Sequence, residues 1–480
     1  MKKISILIIS ILILSILSAC DYELTPIEPT EPIDTVTEPD PSDTNIESFD
    51  RLFNDDVMKT LTIEITKESF EALNDVMYDY HQQFGNFRTD IYARANLVYE
   101  DHLGTVFIED IGFRTRGNTS RVALMNQDGS LNLSHFKISF KEDFELESLK
   151  PLKHRTVFEL EEIDMKYNRN HDSTYLTEKF SLDLMREIGV HAAHATLARV
   201  FVRIGSANCF YGIYTLFEPI DKNFIQRRYN KQEDRDEGDL YKVLWQQFGP
   251  ATLENNYESR AIGIKDESIN YRPSYDLKTN KKSSDHSDLK TFIHNINTLS
   301  NSAFETYIKM NFDVDRFLKY LAVNVVLGNP DDYRAMGNNY FLYHEPISNM
   351  WTLIPYDYDH GMGQGWDGSP VFSNWTVGAN IYTWGNLNSY LVGREVKHPL
   401  SDRILQIPTY LAQYEAYLDL LVQDNHLFHE DRFTELFNTQ KALYDESTMM
   451  TMYESIPFGL RNVVSYIQNK RADVRNQLNS

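Results

Sequence analysis

Apolar and polar residues alternate from Leu61 to Ile65, which puts Leu61, Ile63 and Ile65 on one face of a predicted strand. The period then lengthens, and Phe70, Leu73 and Met77 share one side of a helix expected from about Lys67 to Met77. Short β-prone runs follow at Ala95 to Tyr99, Gly104 to Ile108 and Ile111 to Arg116, separated by turn residues as in a meander. A strand is expected from His135 to Phe140, then a helix from about Ser173 to Glu187 capped by Asp172 or Ser173. Leu197 to Ile204 and Phe210 to Phe217 should form a hairpin about the turn Gly205 to Asn208. From about residue 286 the pattern becomes helical, interrupted by a β-rich, loop-rich island between Gly328 and about Gly365. Val314 to Leu327 is apolar almost all round, so it predicts a buried helix that delivers Asp331 into a loop.

The N-terminus obeys other rules. Lys2 and Lys3 precede an apolar run from Ile4 to Leu17 that closes on Leu17-Ser18-Ala19-Cys20. So short an apolar core, followed by small residues, predicts a cleaved export signal over 1–19 instead of a membrane span. Its ending resembles a bacterial lipobox, which implies lipidation of Cys20 and attachment outside the cytoplasmic membrane. Residues 21–50 hold five prolines and repeated acidic residues but no Lys, Arg or Gly, so 20–50 is expected to be an extended tether. The folded part is then 51–480.

Cys209 is the other cysteine, and with Cys20 lipidated it has no partner for an internal disulfide. Stability must come from burial, for which a hydrophobic fraction of 42% supplies the material. A net charge of -23 repels nucleic acid, so no nucleic-acid partner is expected, and an anionic ligand must meet a local basic cluster.

The densest candidate chemistry is Asn329-Pro330-Asp331-Asp332-Tyr333, then Asn338-Asn339-Tyr340, then Ile354-Pro355-Tyr356-Asp357-Tyr358-Asp359. Phosphoryl transfer needs a carboxylate to orient the attacking hydroxyl and an amide plus a carboxylate to hold a divalent ion, and Asp331, Asn339 and Asp357 can fill those roles. Asp359, two residues on, is a further ligand or an orienting group behind one. Asn-Pro-Asp-Asp is also a good turn in its own right. Arg114 and Arg116 share one strand face, and Gly117 then permits a tight turn whose Asn118, Thr119 and Ser120 can approach a phosphate, or which is only a surface hairpin. Lys137 points away from Phe136 and Phe140, over a cleft or into water. His191 and His194 follow a Gly-terminated helix and need not share a face, so a packed or exposed pair is expected rather than a metal site. The aromatic group Trp366, Trp375, Tyr382 and Trp384 is expected to be substrate-proximal lining or core.

The NPDDYRAMGNNYFLY and WTLIPYDYD stretches, with Arg116-Gly117-Asn118-Thr119-Ser120, resemble the signature elements of the CotH kinase family. That resemblance implies an α+β, atypical bilobal protein-kinase-like fold, with a β-rich N-lobe over about 55–220 and a mainly helical C-lobe over about 221–480. It implies ATP and Mg²⁺ or Mn²⁺ as cofactors, and a surface or coat protein as substrate. By the same resemblance Asp331 is the catalytic acid, and Asn339 (or Asn338), Asp357 and Asp359 hold metal. Arg116, Gly117, Asn118, Thr119, Ser120 and Lys137 meet the nucleotide, while Glu178 or Glu187 pairs with its lysine. The family usually has two lysines where this chain has Leu133-Ser134 before His135-Phe136-Lys137. The segment Tyr211 to Asp221 is similar to the family's interlobe region, where Glu218 either faces the adenine or ribose or bonds locally beside Pro219. Two other functions fit parts of this pattern: a non-catalytic surface adhesin on the same fold, and a metal-dependent hydrolase using Asp357 and Asp359. Nucleotide-dependent stabilisation with Mn²⁺ separates the first from a kinase, and acceptor-free release of phosphate separates the second.

Overall fold

The computed structural model describes residues 45–229, 238–364, 376–384, 393–424, 426–445 and 456–480. The export signal, Cys20, the tether up to residue 44, Trp366 and Trp375 lie outside these residues. Among the described residues no helix is long and apolar enough to cross a membrane.

The architecture is mixed α+β, with a β-rich N-terminal region and a helical C-terminal part. After β1 (Asn45–Ile46) and α1 (Phe49–Phe53), the chain forms β2 (Thr60–Ile65), α2 (Lys67–Phe84), β3 (Ala93–Asp101), β4 (Gly104–Arg116), β5 (His135–Ser139), β6 (Thr156–Val157) and β7 (Glu162–Tyr167). Helix α3 (Thr177–Glu187) and the hairpin β8 (Ala195–Ile204) and β9 (Ala207–Phe217) complete this region. Seven of the strands close a barrel in the order β2-β3-β4-β5-β7-β9-β8. The closing pair, β2 with β8, is parallel and runs from Thr60 opposite Arg199 to Ile65 opposite Ile204. Inward positions alternate as strand geometry requires, so Leu61, Ile63, Leu97, Phe113, Phe136, Ile138, Met165 and Val200 fill the barrel. Phe70, Leu73 and Met77 of α2 are buried in the same core.

Several expected elements differ from the sequence reading. Helix α2 runs past Met77 to Phe84, the hairpin turn is Gly205-Ser206 with β9 already starting at Ala207, and residues 45–50, expected in the tether, form β1 and the start of α1. Gly104 to Ile108 and Ile111 to Arg116 are one strand, β4, joined through Asp110 at φ +56, where the register against β3 shifts between Ala95 and Leu97. A bulge keeps the strand continuous while mimicking a turn in its pattern. The helix expected from Ser173 starts instead at Thr177, because Asn168 and Asp172 fold the preceding residues into a hydrogen-bonded loop. Asp172 still serves the helix start, accepting from the backbone N–H groups of Thr174 at 2.9 Å and Thr177 at 3.1 Å.

Helix α4 (Lys222–Tyr229) leads to a second sheet of β10 (Asp239–Val243), β11 (Ile262–Gly263), β12 (Tyr275–Leu277), β13 (Tyr340–Glu345) and β14 (Met350–Pro355), ordered β11-β12-β10-β13-β14. Around it stand α5 (Ser287–Thr298), α6 (Asn301–Asn311), α7 (Val314–Leu327), the single turn α8 (Tyr333–Met336), α9 (Pro399–Ile404), α10 (Pro408–Val422), α11 (Glu430–Tyr444) and α12 (Val463–Leu478). Helix α7 is buried nearly all round, as its composition predicts. It ends at Gly328, φ +63, where a Cβ would sit 2.0 Å from the Tyr466 hydroxyl, so only glycine fits this exit into the Asp331 loop.

Candidate active site

Strand β7 has its apolar Ile163 and Met165 in the barrel, which turns Asp164 and Lys166 outward toward the second half of the chain. Lys166 is the centre of the site. Its ammonium lies 2.8 Å from Glu178 Oε2 on α3 and 2.8 Å from Asp359 Oδ2, and it also contacts Asp357. Glu178, Asp357 and Asp359 each offer a carboxylate oxygen within 4.8 Å of the others. Asp357 and Asp359 reach one ammonium because Tyr358 between them is buried in the core, and the Tyr358 N–H donates to Glu178 Oε1 at 3.3 Å. Asp357 sits at φ +63, a left-handed conformation that Asp tolerates better than most residues.

The ionisation of this group follows from its contacts. Burial alone would lower the Lys166 pKa, but Asp357, Asp359 and Glu178 hold it well above the ordinary lysine value. Burial would likewise raise Asp359, yet Lys166 and His360 hold it well below the usual carboxylate range. Glu178 goes the other way, raised by burial to about 7 even though Lys166 opposes the shift.

Asp331 lies beside this cluster. The turn-forming work of Asn329 to Tyr333 falls to Asn329, whose Oδ1 accepts from Asp331 N at 3.2 Å, and to Asp332, which caps α8 at Ala335 N (2.8 Å) and accepts from Asn324 Nδ2 (2.6 Å). That leaves the Asp331 carboxylate to the site, gripped by Asn338 Nδ2 on Oδ1 and Asn339 Nδ2 on Oδ2, each at 2.8 Å. Burial pushes Asp331 up to about 7, with the charges of Asp357 and Asp359 adding to it against His360. A carboxyl so placed can hold or release a proton near neutral pH. The two amides are not equivalent. The Asn338 oxygen accepts from Trp245 N at 2.7 Å, whereas Asn339, at φ +53, uses its nitrogen on Asp331, so its oxygen is the atom suited to a cation.

The other sequence-predicted residues divide between this site and its surroundings. Arg116 crosses from the barrel to donate to the Tyr356 hydroxyl at 2.8 Å, one residue before Asp357, and pairs with Asp164 at 3.2 Å. Gly117 at φ +118 makes the following bend, with Ser120 Oγ only 2.7 Å from where a Cβ would stand. Asn118 accepts from Arg88 at 2.7 Å, so this loop is held at the barrel rim, and Thr119 continues it. Lys137 does not reach the carboxylate cluster: it pairs across the strands with Glu162 at 2.5 Å and Asp164 at 3.2 Å. Glu218 is fully buried away from the cleft between Arg227 and Arg228, both at 2.7 Å, and His194 at 3.1 Å. Glu187 lies at the surface with Arg432 at 2.7 Å. His191 packs on Tyr229 while His194 bonds Glu218, so the two rings serve different partners. Trp384 is core, and the half-buried Tyr382 bonds Glu415 at 2.9 Å.

Sequence reasoning passed over Lys166, although Ile163-Asp164-Met165-Lys166 carries the alternation that singled out Lys137. It also passed over Lys242 of β10, which donates to Tyr356 at 3.0 Å, and Asn170, which donates to the Asp359 carbonyl at 3.1 Å. A cavity lined by Lys166, Asn168, Arg169, Tyr175, Glu178 and Asp359 opens beside the cluster.

Comparison with known proteins adds two findings. The profile of the family described as CotH kinase protein matches residues 113–467. Inner spore coat protein H of Bacillus subtilis (strain 168) is 24% identical over 328 residues, covering 68% of this chain and 76% of that protein.

Proposed function

The chain belongs to the CotH kinase family, a family of atypical protein kinases, and from this we propose that it moves the γ-phosphoryl group of ATP to a Ser or Thr hydroxyl of a surface or coat protein. One observation carries the reading: a strand lysine and a helix glutamate meet two aspartates of one turn, beside a third aspartate clasped by two amides. The barrel and the helical part would act as two lobes closing on this junction.

The donor set fits a hard divalent cation, because Glu178, Asp357 and Asp359 bring carboxylate oxygens together and the cluster stays net negative after Lys166 is counted; the Asn339 oxygen, beside Asp331, would be the amide donor to the same ion. Mg²⁺ or Mn²⁺ there supplies charge neutralisation on the phosphates. The rest falls to the chain itself. Lys166 and Arg116 present cations to the cleft, Glu178 fixes Lys166, and Asp331 orients the acceptor hydroxyl and takes its proton. The bend Gly117 to Ser120 lines the phosphate side. Lys137 shapes that wall by orienting Asp164, and Glu218 braces the link between the halves.

The lipobox-like Leu17 to Cys20 and the acidic tether support an extracytoplasmic, lipid-anchored protein. The Bacillus relative is named as a spore coat protein, which supports a coat setting, and so a coat protein as the acceptor within reach. The test uses the protein from residue 45 onward with labelled ATP and Mn²⁺, beside Asp331→Ala and Asp357→Ala. Label should pass to the protein or a generic acceptor with the parent alone. Equal labelling by all three, or none from a folded parent, would remove the kinase reading.

A further inference from the structure

Helix α3 carries Glu178 into the cleft, and the next residue, Lys179, points about 100° away around the helix, into the protein, with its side chain 1% exposed. A buried ammonium must be paired. Lys179 meets Asp183 at 2.8 Å one turn along its own helix, the Ala195 carbonyl at 3.1 Å, and Asp55 at 2.5 Å. Asp55 belongs to the strap 54–59 between α1 and β2, and it is the carboxylate that ties Lys179 to a different part of the chain. The strap is itself fixed: Asp55 accepts from Thr196 at 3.0 Å, Gln440 of α11 donates to the Asp55 carbonyl at 2.7 Å, and Lys59 N donates to the Tyr444 hydroxyl at 3.0 Å. The family profile begins at Phe113, so this strap comes from a part of the chain that the profile does not match.

We infer that Asp55 is a positioning residue: through Lys179 it sets the seat of α3 and so holds Glu178 against Lys166 and the Asp357–Asp359 turn. The residues that follow the tether thus form part of the apparatus for the reaction proposed above, on which the catalytic half of this inference rests. Losing the Asp55 charge leaves Lys179 with one carboxylate and frees α3 to shift, which withdraws Glu178 from both Lys166 and the Tyr358 N–H.

The experiment compares the protein from residue 45 onward with Asp55→Asn, Asp55→Glu and Lys179→Met, reading amide hydrogen exchange and ATP turnover together. In Asp55→Asn, exchange at Tyr358 and along Thr177–Glu187 should rise about tenfold or more while β3 and β4 keep their protection. Turnover per folded molecule should fall at little-changed KM for ATP, with partial recovery in Asp55→Glu. Lys179→Met should loosen the same amides while leaving behind only the part-exposed Asp55 carboxylate and an Asp183 still paired with Arg186, so it carries the test if Asp55→Asn does not fold. Adding Asp55→Asn to Lys179→Met should then have no further effect. Unchanged exchange at Tyr358 and α3, or a rise spread evenly over the barrel, would overturn the inference. Selective loosening in a parent without phosphotransfer would uphold the positioning role and remove the kinase reading instead.

Discussion

Replacing Lys166 by Met tests the site at its centre. Three carboxylates then face one another within 4.8 Å without their ammonium. At an effective dielectric of about 20, each ionised pair at that distance repels by about 3.5 kcal/mol, a repulsion that Glu178 relieves in part by holding a proton. Water reduces this at Asp357, whose side chain is a third exposed. Breaking a buried ion pair from one side costs about 3–5 kcal/mol, and a loss of that size is expected for Lys166→Met in metal-free buffer at pH 7.5. The pH dependence has a definite sign. Glu178 is already raised to about 7 in the folded protein, so it favours the fold below its unfolded value of about 4.3 and withdraws that support as pH rises toward 7. Without Lys166 the withdrawal should extend to higher pH. A divalent cation can replace the missing charge, and Mn²⁺ at a hundredfold excess over its dissociation constant returns about 2.7 kcal/mol. Urea unfolding with and without Mn²⁺, in the absence of nucleotide, measures both effects. If Mn²⁺ stabilises neither Lys166→Met nor the parent, the carboxylates do not form a common cation site and the reasoning fails.

Two further substitutions probe the surroundings. Glu218→Gln leaves Arg227 and Arg228 facing a neutral amide and should cost about 3–5 kcal/mol in denaturant titration, with KM for ATP unchanged. Burial would raise the Glu218 pKa, but His194 and Arg228 hold it well below the usual range; the gap between parent and variant should therefore be full above about pH 5 and shrink as pH falls. Gly117→Ala forces a side chain onto φ +118 and against Ser120 Oγ, which should cost at least about 1 kcal/mol in thermal unfolding and raise KM for ATP.

Local pattern carried much of the fold. The β8 and β9 hairpin, α2 and the buried α7 follow from periodicity alone, because each buries one regular set of side chains. Asp331, Asn339 and Asp357 stood out since acid and amide cluster on loops between strongly apolar segments. Lys166 did not, because β7 is short and its alternation, from Ile163 to Lys166, is hidden among acidic residues at Glu159, Glu161, Glu162 and Asp164. The pairing of Lys137 with Glu162 and Asp164 depends on a strand register that no single segment encodes. Strands β10 to β12 were missed for a related reason: β11 and β12 span two and three residues and owe their existence to neighbours in the sheet. The Asp55 contact with Lys179 joins residues far apart in sequence and leaves no periodic trace at all.

Barrel closure also sets a schedule for synthesis. Strand β2 can pair with β3 as soon as both exist, but its other side waits for β8, since Thr60 finds Arg199 and Ile65 finds Ile204. At roughly 5–20 residues per second that wait is on the order of ten seconds. Throughout it the nascent hairpin exposes a row of unpaired amides able to join another chain. The parallel seam that leaves the finished barrel without an edge thus makes the half-built one dependent on shelter.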